Sequence, residues 1–258
     1  MSDPEDRGTE GTLALVSLAE RPDLREAMNA HNRAAWPELM FHDPVANRLW
    51  GNLYEHFAGF QLLLLEPGGR PCAAANSAPL RWDGTDADLP AGWDDQFERT
   101  VADRAAGREP DTLGALQIVV AGSRRGDRLG GRMLGALRSL AGERGFRALI
   151  ACVRPTLKDR YPTIPIERYA GWTRDDGLPF DPWIRLHARL GGRIARAAPR
   201  SMTIPGSVQE WEKWAGMAFP GSGDYVVPGA AAPVRMDREA GTGVYHDPNV
   251  WMVHALGR

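Results

Sequence analysis

Short apolar runs of strand period alternate along the chain with longer stretches whose apolar residues recur every three to four positions, and this alternation predicts a mixed α/β chain. Residues 12–18 read as a first strand, after which 21–32 and 43–57 read as helices separated by the aromatic break Ala35-Trp36-Pro37. Residues 60–66 and 70–82 read as a hairpin about the turn Pro67-Gly68-Gly69. The segment 83–92, rich in Asp, Gly and Pro, leads into a helix over 93–106, and a strand follows over 113–121. Leu129, Met133, Leu134, Leu137, Leu140 and Ala141 share one helical face that Gly145 can end, and 147–153 reads as a buried strand. The last fifth gives a helix at 208–216 with Trp211 and Trp214, strands at 224–227 and 234–238, and a closing segment over 243–254.

A chain of 258 residues can bury a full core, as one enlarged domain or two small ones. The most apolar early run, 60–65, is far too short to span a membrane, and residues 1–11 are polar and acidic, so a disordered N-terminus and a cytoplasmic location are expected. Cys72 and Cys152 each fall in an expected strand, which argues against a disulfide framework and for two small core residues. Net charge is −2, but residues 1–110 carry −9 and residues 111–258 carry +7. The basic half would attract a polyanionic ligand. Its arginines are spread over helices and strands without the aromatic modules of nucleic-acid binders, so a nucleic-acid partner is disfavoured.

The basic half also holds the most informative stretch. Gln117, Ile118, Val119 and Val120 read as strand, and Ser123, Arg124, Arg125, Gly126, Asp127, Arg128, Leu129, Gly130 and Gly131 form a turn that opens into the amphipathic helix, with Arg132 in its first turn. A helix start leaves N–H groups unpaired and positive partial charge exposed, and glycine lets backbone approach a phosphate. Neither a Walker lysine followed by Ser/Thr nor the G-x-G-x-x-G spacing of dinucleotide folds is present, and without a G-x-S-x-G elbow a serine hydrolase is disfavoured. His42-Asp43-Pro44 and His246-Asp247-Pro248 share a tripeptide, but no further ligands stand at helix or strand spacing, so no metal is expected and these aspartates read as turn starters.

Residues 125–130 resemble the acyl-CoA-binding motif Q/R-x-x-G-x-G/A of the GNAT superfamily of N-acyltransferases. Arg128 stands where the family has its first glycine, so a backbone contact to the pyrophosphate there needs a negative φ, or a guanidinium in its stead. Residues 183–194, a helix ending in Leu190-Gly191-Gly192 before a strand, resemble the family's second signature. Motif-level support thus covers roughly residues 112–204.

The resemblance implies a GNAT-like α+β fold: a mixed, mostly antiparallel central sheet flanked by helices, one domain over 12–258 with inserts at about 83–111 and 155–182 and a C-terminal extension closing over the acceptor. It implies acetyl-CoA or another acyl-CoA as cosubstrate, gripped by residues 124–132, with backbone N–H groups of Ile118, Val119 and Val120 polarising the thioester carbonyl. The acceptor would be a small-molecule amine that attacks directly. The general acid of many members is a tyrosine of the second signature; here His187 stands in its place, with Tyr161 and Tyr169 of the 155–182 insert as alternates. Family geometry would put that insert in the acceptor pocket. The resemblance also admits a donor on the phosphopantetheine arm of an acyl carrier protein, a homodimer, and a non-catalytic CoA-binding sensor.

Overall fold

The computed structural model describes residues 12–124 and 126–257; Arg125, in the proposed phosphate turn, and the expected disordered segment 1–11 lie outside the described residues. Nine strands among them join one sheet: β1 (Ala14–Ser17), β2 (Gln61–Leu65), β3 (Pro71–Leu80), β4 (Thr112–Val120), β5 (Ala148–Val153), β6 (Arg193–Ser207), β7 (Gly223–Tyr225), β8 (Val234–Asp237) and β9 (Thr242–Ala255). The spatial order is β1-β2-β3-β4-β5-β9-β8-β7, with β6 along the other edge of β9. Only β4 and β5 run parallel, so the expected mixed, mostly antiparallel sheet is the one observed.

The helices are α1 (Arg25–Arg33), α2 (Pro44–Leu49), α3 (Gly51–His56), α4 (Trp93–Ala105), α5 (Leu129–Glu143), α6 (Ile166–Ala170), α7 (Pro182–Arg189) and α8 (Val208–Ala215). The helix expected over 43–57 is two short ones meeting at Trp50, the first started by Pro44 and capped by Asp43, whose Oδ1 accepts from Ala46 N at 2.7 Å. Residues of β2 and β5 are buried on both sides, because helices cover both faces of the sheet. Leu116, Ile150, Cys152 and Trp251 pack with α2, α3, α4 and α8 on one face. Leu113, Ala115, Leu149, Ala151 and Val153 pack with α5, α6 and α7 on the other. Alternation along each strand sets this division.

One defect in the sheet positions everything that follows. The parallel pairing of β4 with β5 covers only Thr112–Ala115 against Ala148–Ala151 and then stops. At that point β4 shifts register against β3, between Asn76 and Ser77, leaving Leu116 as the extra residue of a bulge. Side chains of α4 take up carbonyls there: Trp93 Nε1 donates to Leu116 O at 2.7 Å and Gln96 Nε2 to Ala115 O at 3.2 Å. Beyond the bulge, Gln117–Val120 and Cys152–Val153 diverge and leave a notch through the sheet.

Candidate active site

A cavity of about 560 Å³ occupies the notch. Leu134 of α5 with Trp183 and His187 of α7 line it from one face, and α1, α2 and α4 line it from the other, so it passes through the sheet. Ala115–Ile118 and Ala151–Val153 form its two strand walls. Ala121 N donates to Cys72 O on β3 at 2.9 Å, so strand alternation turns the N–H groups of Ile118 and Val120 to the open edge and that of Val119 toward β3. Two of the three expected backbone donors therefore face the notch.

The turn before α5 holds two residues in the left-handed region, Gly126 at φ +101° and Arg128 at φ +59°. Arg128 therefore does not meet the negative φ on which a backbone contact to the pyrophosphate would depend, and it holds the left-handed conformation at a steric cost of about 1–2 kcal/mol. Gly130 and Gly131, expected from the sequence to approach phosphate, have a packing role in the structure. A Cβ on Gly130 would lie 3.1 Å from the Trp183 ring and one on Gly131 3.3 Å from Leu186 Cδ1, so both glycines let α7 close onto the start of α5. Leu129 is buried beneath the turn. The arginines are less free than the sequence implied. Arg124 donates to Asp127 Oδ2 at 2.5 Å and to Glu66 Oε1 at 2.7 Å, and Arg132 donates to Leu13 O at 3.1 Å.

His187 lines the cavity and is 2% exposed, with Trp183 edge-on to its ring at 5.0 Å. Its Nδ1 lies 2.9 Å from His254 Nε2 on β9. Burial pushes His187 down to about 3 and His254 down to about 4, each helped by a neighbouring cationic or imidazole group. At neutral pH His187 therefore meets the cavity as a neutral imidazole, not as the freely titrating group expected from its ordinary value.

Tyr161 and Tyr169 do not line the cavity. With Trp172 and Phe180 they form an aromatic cluster, ring centroids 5.1–6.2 Å apart, on the face of α5 and α7. This aromatic part of the 155–182 insert lies against the opposite face from α1 and α2, and no residue of the insert lines the cavity, so the expectation that it forms the acceptor pocket is corrected. Its role is support. Tyr169 donates its hydroxyl to Asp181 Oδ2 at 2.9 Å, while Asp181 Oδ1 caps α7 by accepting from Trp183 N at 2.9 Å. This fixes the helix that carries His187. Burial and Asp181 push the Tyr169 hydroxyl well above its ordinary value, so it stays protonated.

On the acceptor face the cavity is lined by Trp36, Met40, Phe41, Trp50, Trp93 and Met202, with Glu26, Asn29, Asn32, Arg33, Asn47, Gln117, Arg154, Asp247 and Asn249 as polar members. Buried side-chain amides brace β4 here. Asn32 and Gln117 both donate to Asn76 Oδ1, at 2.9 and 2.8 Å, and Trp36 Nε1 donates to Gln117 Oε1 at 3.0 Å. Arg154 follows β5 directly. It donates from Nε to Asp247 Oδ1 at 2.9 Å and from Nη2 to Gly229 O at 2.7 Å. Burial works against its charge, but Asp247 outweighs it and holds the guanidinium above its ordinary value. Asp247 is not a turn starter; it sits mid-strand in β9, fully buried. Neither residue carried a sequence signal for this site beyond the strand pattern around it. Cys152 also faces the cavity, its thiol pushed up to about 12 by burial and bonded to Ser201 Oγ at 3.1 Å, so it is an inert wall.

A sheet parted between two parallel strands, a glycine-rich turn opening into a helix on one face and a through-going cavity define a GNAT-type acyltransferase. The chain is 32% identical over 274 aligned residues, 94% of each chain, to the arginine N-acetyltransferase avaD of Aspergillus versicolor. It belongs to the GNAT superfamily and is an N-acyltransferase. Its fold is shared by the loading GNATL domain of CurA from Lyngbya majuscula (TM-score 0.59, 13% identity, 95% of this chain and 98% of that one). The GphF GNAT-like decarboxylase in complex with isobutyryl-CoA also shares it (TM-score 0.53, 17% identity, 96% and 100%). No family model matches the chain. No helix among the described residues is long and apolar enough to cross a membrane.

Proposed function

We propose that the chain transfers an acetyl group from acetyl-CoA to the amine of arginine or a close analogue of it, a small-molecule acceptor, in the cytoplasm. The observation that carries this reading is the cavity through the sheet, which lets donor and acceptor enter from opposite faces and meet at the notch. Their approach is set by the fold, and juxtaposition supplies much of the rate.

The Ile118 and Val120 N–H groups on the open edge of β4 lie along the path of an extended pantetheine arm and of the thioester oxygen as negative charge builds there. The α5 start, with the left-handed Gly126 and Arg128, presents N–H groups to the pyrophosphate. His187 lies on the donor side and meets the departing thiolate. As a neutral imidazole it moves a proton through its ring nitrogens, with His254 holding the ring in place. On the acceptor side, Glu26 and the Trp50 ring suit a guanidinium, which stacks on aromatic rings and pairs with carboxylate; the Phe41 and Trp36 rings beside them already carry the chain's own Arg33 and Arg154. The relative that acts on arginine agrees with this lining.

The test is a thiol-release assay with acetyl-CoA across an amine panel containing arginine, lysine, a polyamine and an arylalkylamine, with products identified by mass. Release with arginine at the highest kcat/KM supports the assignment. Release only with the arylalkylamine would replace it with an aromatic acceptor, and tight CoA binding without release would make the protein a sensor.

A further inference from the structure

We propose that Arg154 is the receptor for a free carboxylate on the acceptor, so that the enzyme takes 2-amino acids and discriminates against the same amines lacking a carboxylate. This rests on the acyl-transfer reading above and adds a recognition element to it.

Strand alternation puts the Arg154 side chain on the acceptor face. Ile150 and Cys152 point there, Ala151 and Val153 point to the α5 face, and Arg154 continues the first series. The guanidinium is fixed from several sides. Nε is held by Asp247 and one Nη2 hydrogen by Gly229 O, and the plane lies over Trp36, 5.9 Å from the ring centroid. The holder is itself held: Asp247 accepts from the Tyr245 hydroxyl at Oδ1 and, with the Asn249 amide turned to the orientation its neighbours require, from Asn249 at Oδ2, 2.9 Å away. Tyr245 in turn accepts from Ala231 N at 2.8 Å, and Ala231 O accepts from the buried Lys158 Nζ at 2.6 Å.

Exposure decides which partner of the pair meets the ligand. The Asp247 side chain is 0% exposed and that of Arg154 is 19%, and both belong to the cavity wall. The carboxylate faces inward with its oxygens occupied, so it neither receives the acceptor's amine nor serves as a base. The guanidinium turns the other way. Among the described residues no group accepts from Nη1, which leaves Nη1 and the second Nη2 hydrogen as a two-donor edge. That edge matches a carboxylate in geometry. The Arg154–Asp247 pair is neutral overall, so recognition comes from directed donors and not from net charge. Position completes the argument. Arg154 is the first residue beyond the parted end of β5, and in a 2-amino acid one carbon separates carboxylate from amine. A carboxylate on Arg154 therefore delivers the neighbouring amine to the notch.

The experiment compares arginine, argininamide and agmatine, which is arginine without its carboxylate, as acceptors at saturating acetyl-CoA. The expected result is kcat/KM for arginine about 10- to 100-fold above the other two, the worth of a charge-assisted pair. In Arg154→Lys, which keeps the charge beside Asp247 but loses the fork, the preference for arginine should collapse toward unity. Equal efficiency with all three acceptors in the unaltered protein overturns the carboxylate receptor while leaving acyl transfer standing. A preference that survives undiminished in Arg154→Lys assigns the carboxylate to another residue and overturns it too. Absence of thiol release with all three, while another amine of the panel gives release, overturns the arginine acceptor and this inference with it but leaves acyl transfer standing. If Arg154→Lys does not fold, the comparison of arginine with argininamide in the unaltered protein decides alone.

Discussion

His187 Nδ1 and His254 Nε2 face each other at 2.9 Å, so one proton lies between two buried imidazoles and neither ring gains from taking another. Burial makes a charge on either ring costly, which is why both values fall to about 3 and 4. Removing the cavity-side imidazole should cost turnover more than binding. His187→Gln is expected to lower kcat about 100-fold with the acetyl-CoA KM changed little. Full kcat in the variant would remove His187 from the chemistry.

The same pair has a consequence for acid stability. Both folded values lie below the ordinary 6.5, so as pH falls through 6.5 the unfolded chain takes protons that the folded one refuses. Stability contributed by these neutral rings is complete above 6.5 and declines toward pH 4, by about 1.4 kcal/mol per pH unit per proton. Urea denaturation between pH 7 and 5 should show this slope, and it should shrink in His187→Gln. An unchanged slope in the variant would show that His187 does not bear the proton deficit.

Asp94 and Asp43 predict the opposite sign. Asp94, at the start of α4, is pushed up to about 8 by burial and then by Asp43 and Glu98, and Asp43 is pushed up to about 6 by burial and by Asp247. Asp43 Oδ2 and Asp94 Oδ1 are buried without other partners, which suits two carboxyls sharing a proton. A raised folded value means the folded state holds protons the unfolded one has lost, so stability falls as pH rises from about 4 to 8. Asp94→Asn can still accept from Thr203 N and can donate to Asp43. It should raise the melting temperature at pH 8.5 and much less at pH 5. Equal gains at both pH values would exclude the shared proton.

Arg128 pays a left-handed φ of +59° without a glycine's freedom. Arg128→Gly should stabilise the protein by about 1 kcal/mol, equivalent to roughly 2–4 °C in melting temperature for a chain of this size. A fall in melting temperature would mean that the Arg128 side chain makes contacts worth more than the strain.

Gly92 abuts β6. A Cβ there would stand 2.3 Å from Ser201 Cα, and Ser201 Oγ accepts from Trp93 N and contacts Cys152 in the cavity wall. Gly92→Ala should therefore destabilise by about 3 kcal/mol and disturb acceptor KM through Trp93. A wild-type melting curve would contradict the packing described.

Much of this architecture was legible in the chain. The periodicities around 61–65, 129–141 and 148–153 specify strand, helix and strand because side-chain spacing is a local property. The turn into α5 suggested a ligand class because phosphate recognition at a helix start is made by consecutive backbone groups and needs only glycines, an amphipathic helix and local order. Even the place of His187 on the cavity wall was signalled, since a helix–turn–strand signature locates it without knowledge of the rest. What the sequence left open was everything requiring distant segments to meet. Tyr161 and Tyr169 resembled catalytic groups, yet only the packed sheet decided that their insert lies on the α7 face and serves Asp181. Arg154 and Asp247 are 93 residues apart, and their pairing depends on β9 lying antiparallel beside β5. His187 keeps its position from the sequence, but its protonation was set by His254 and by burial, and both exist only once the chain has folded. Local order determined the strand, turn and helix that carry the family resemblance; the three-dimensional meeting of β5 and β9 decided what lines the cavity beyond them.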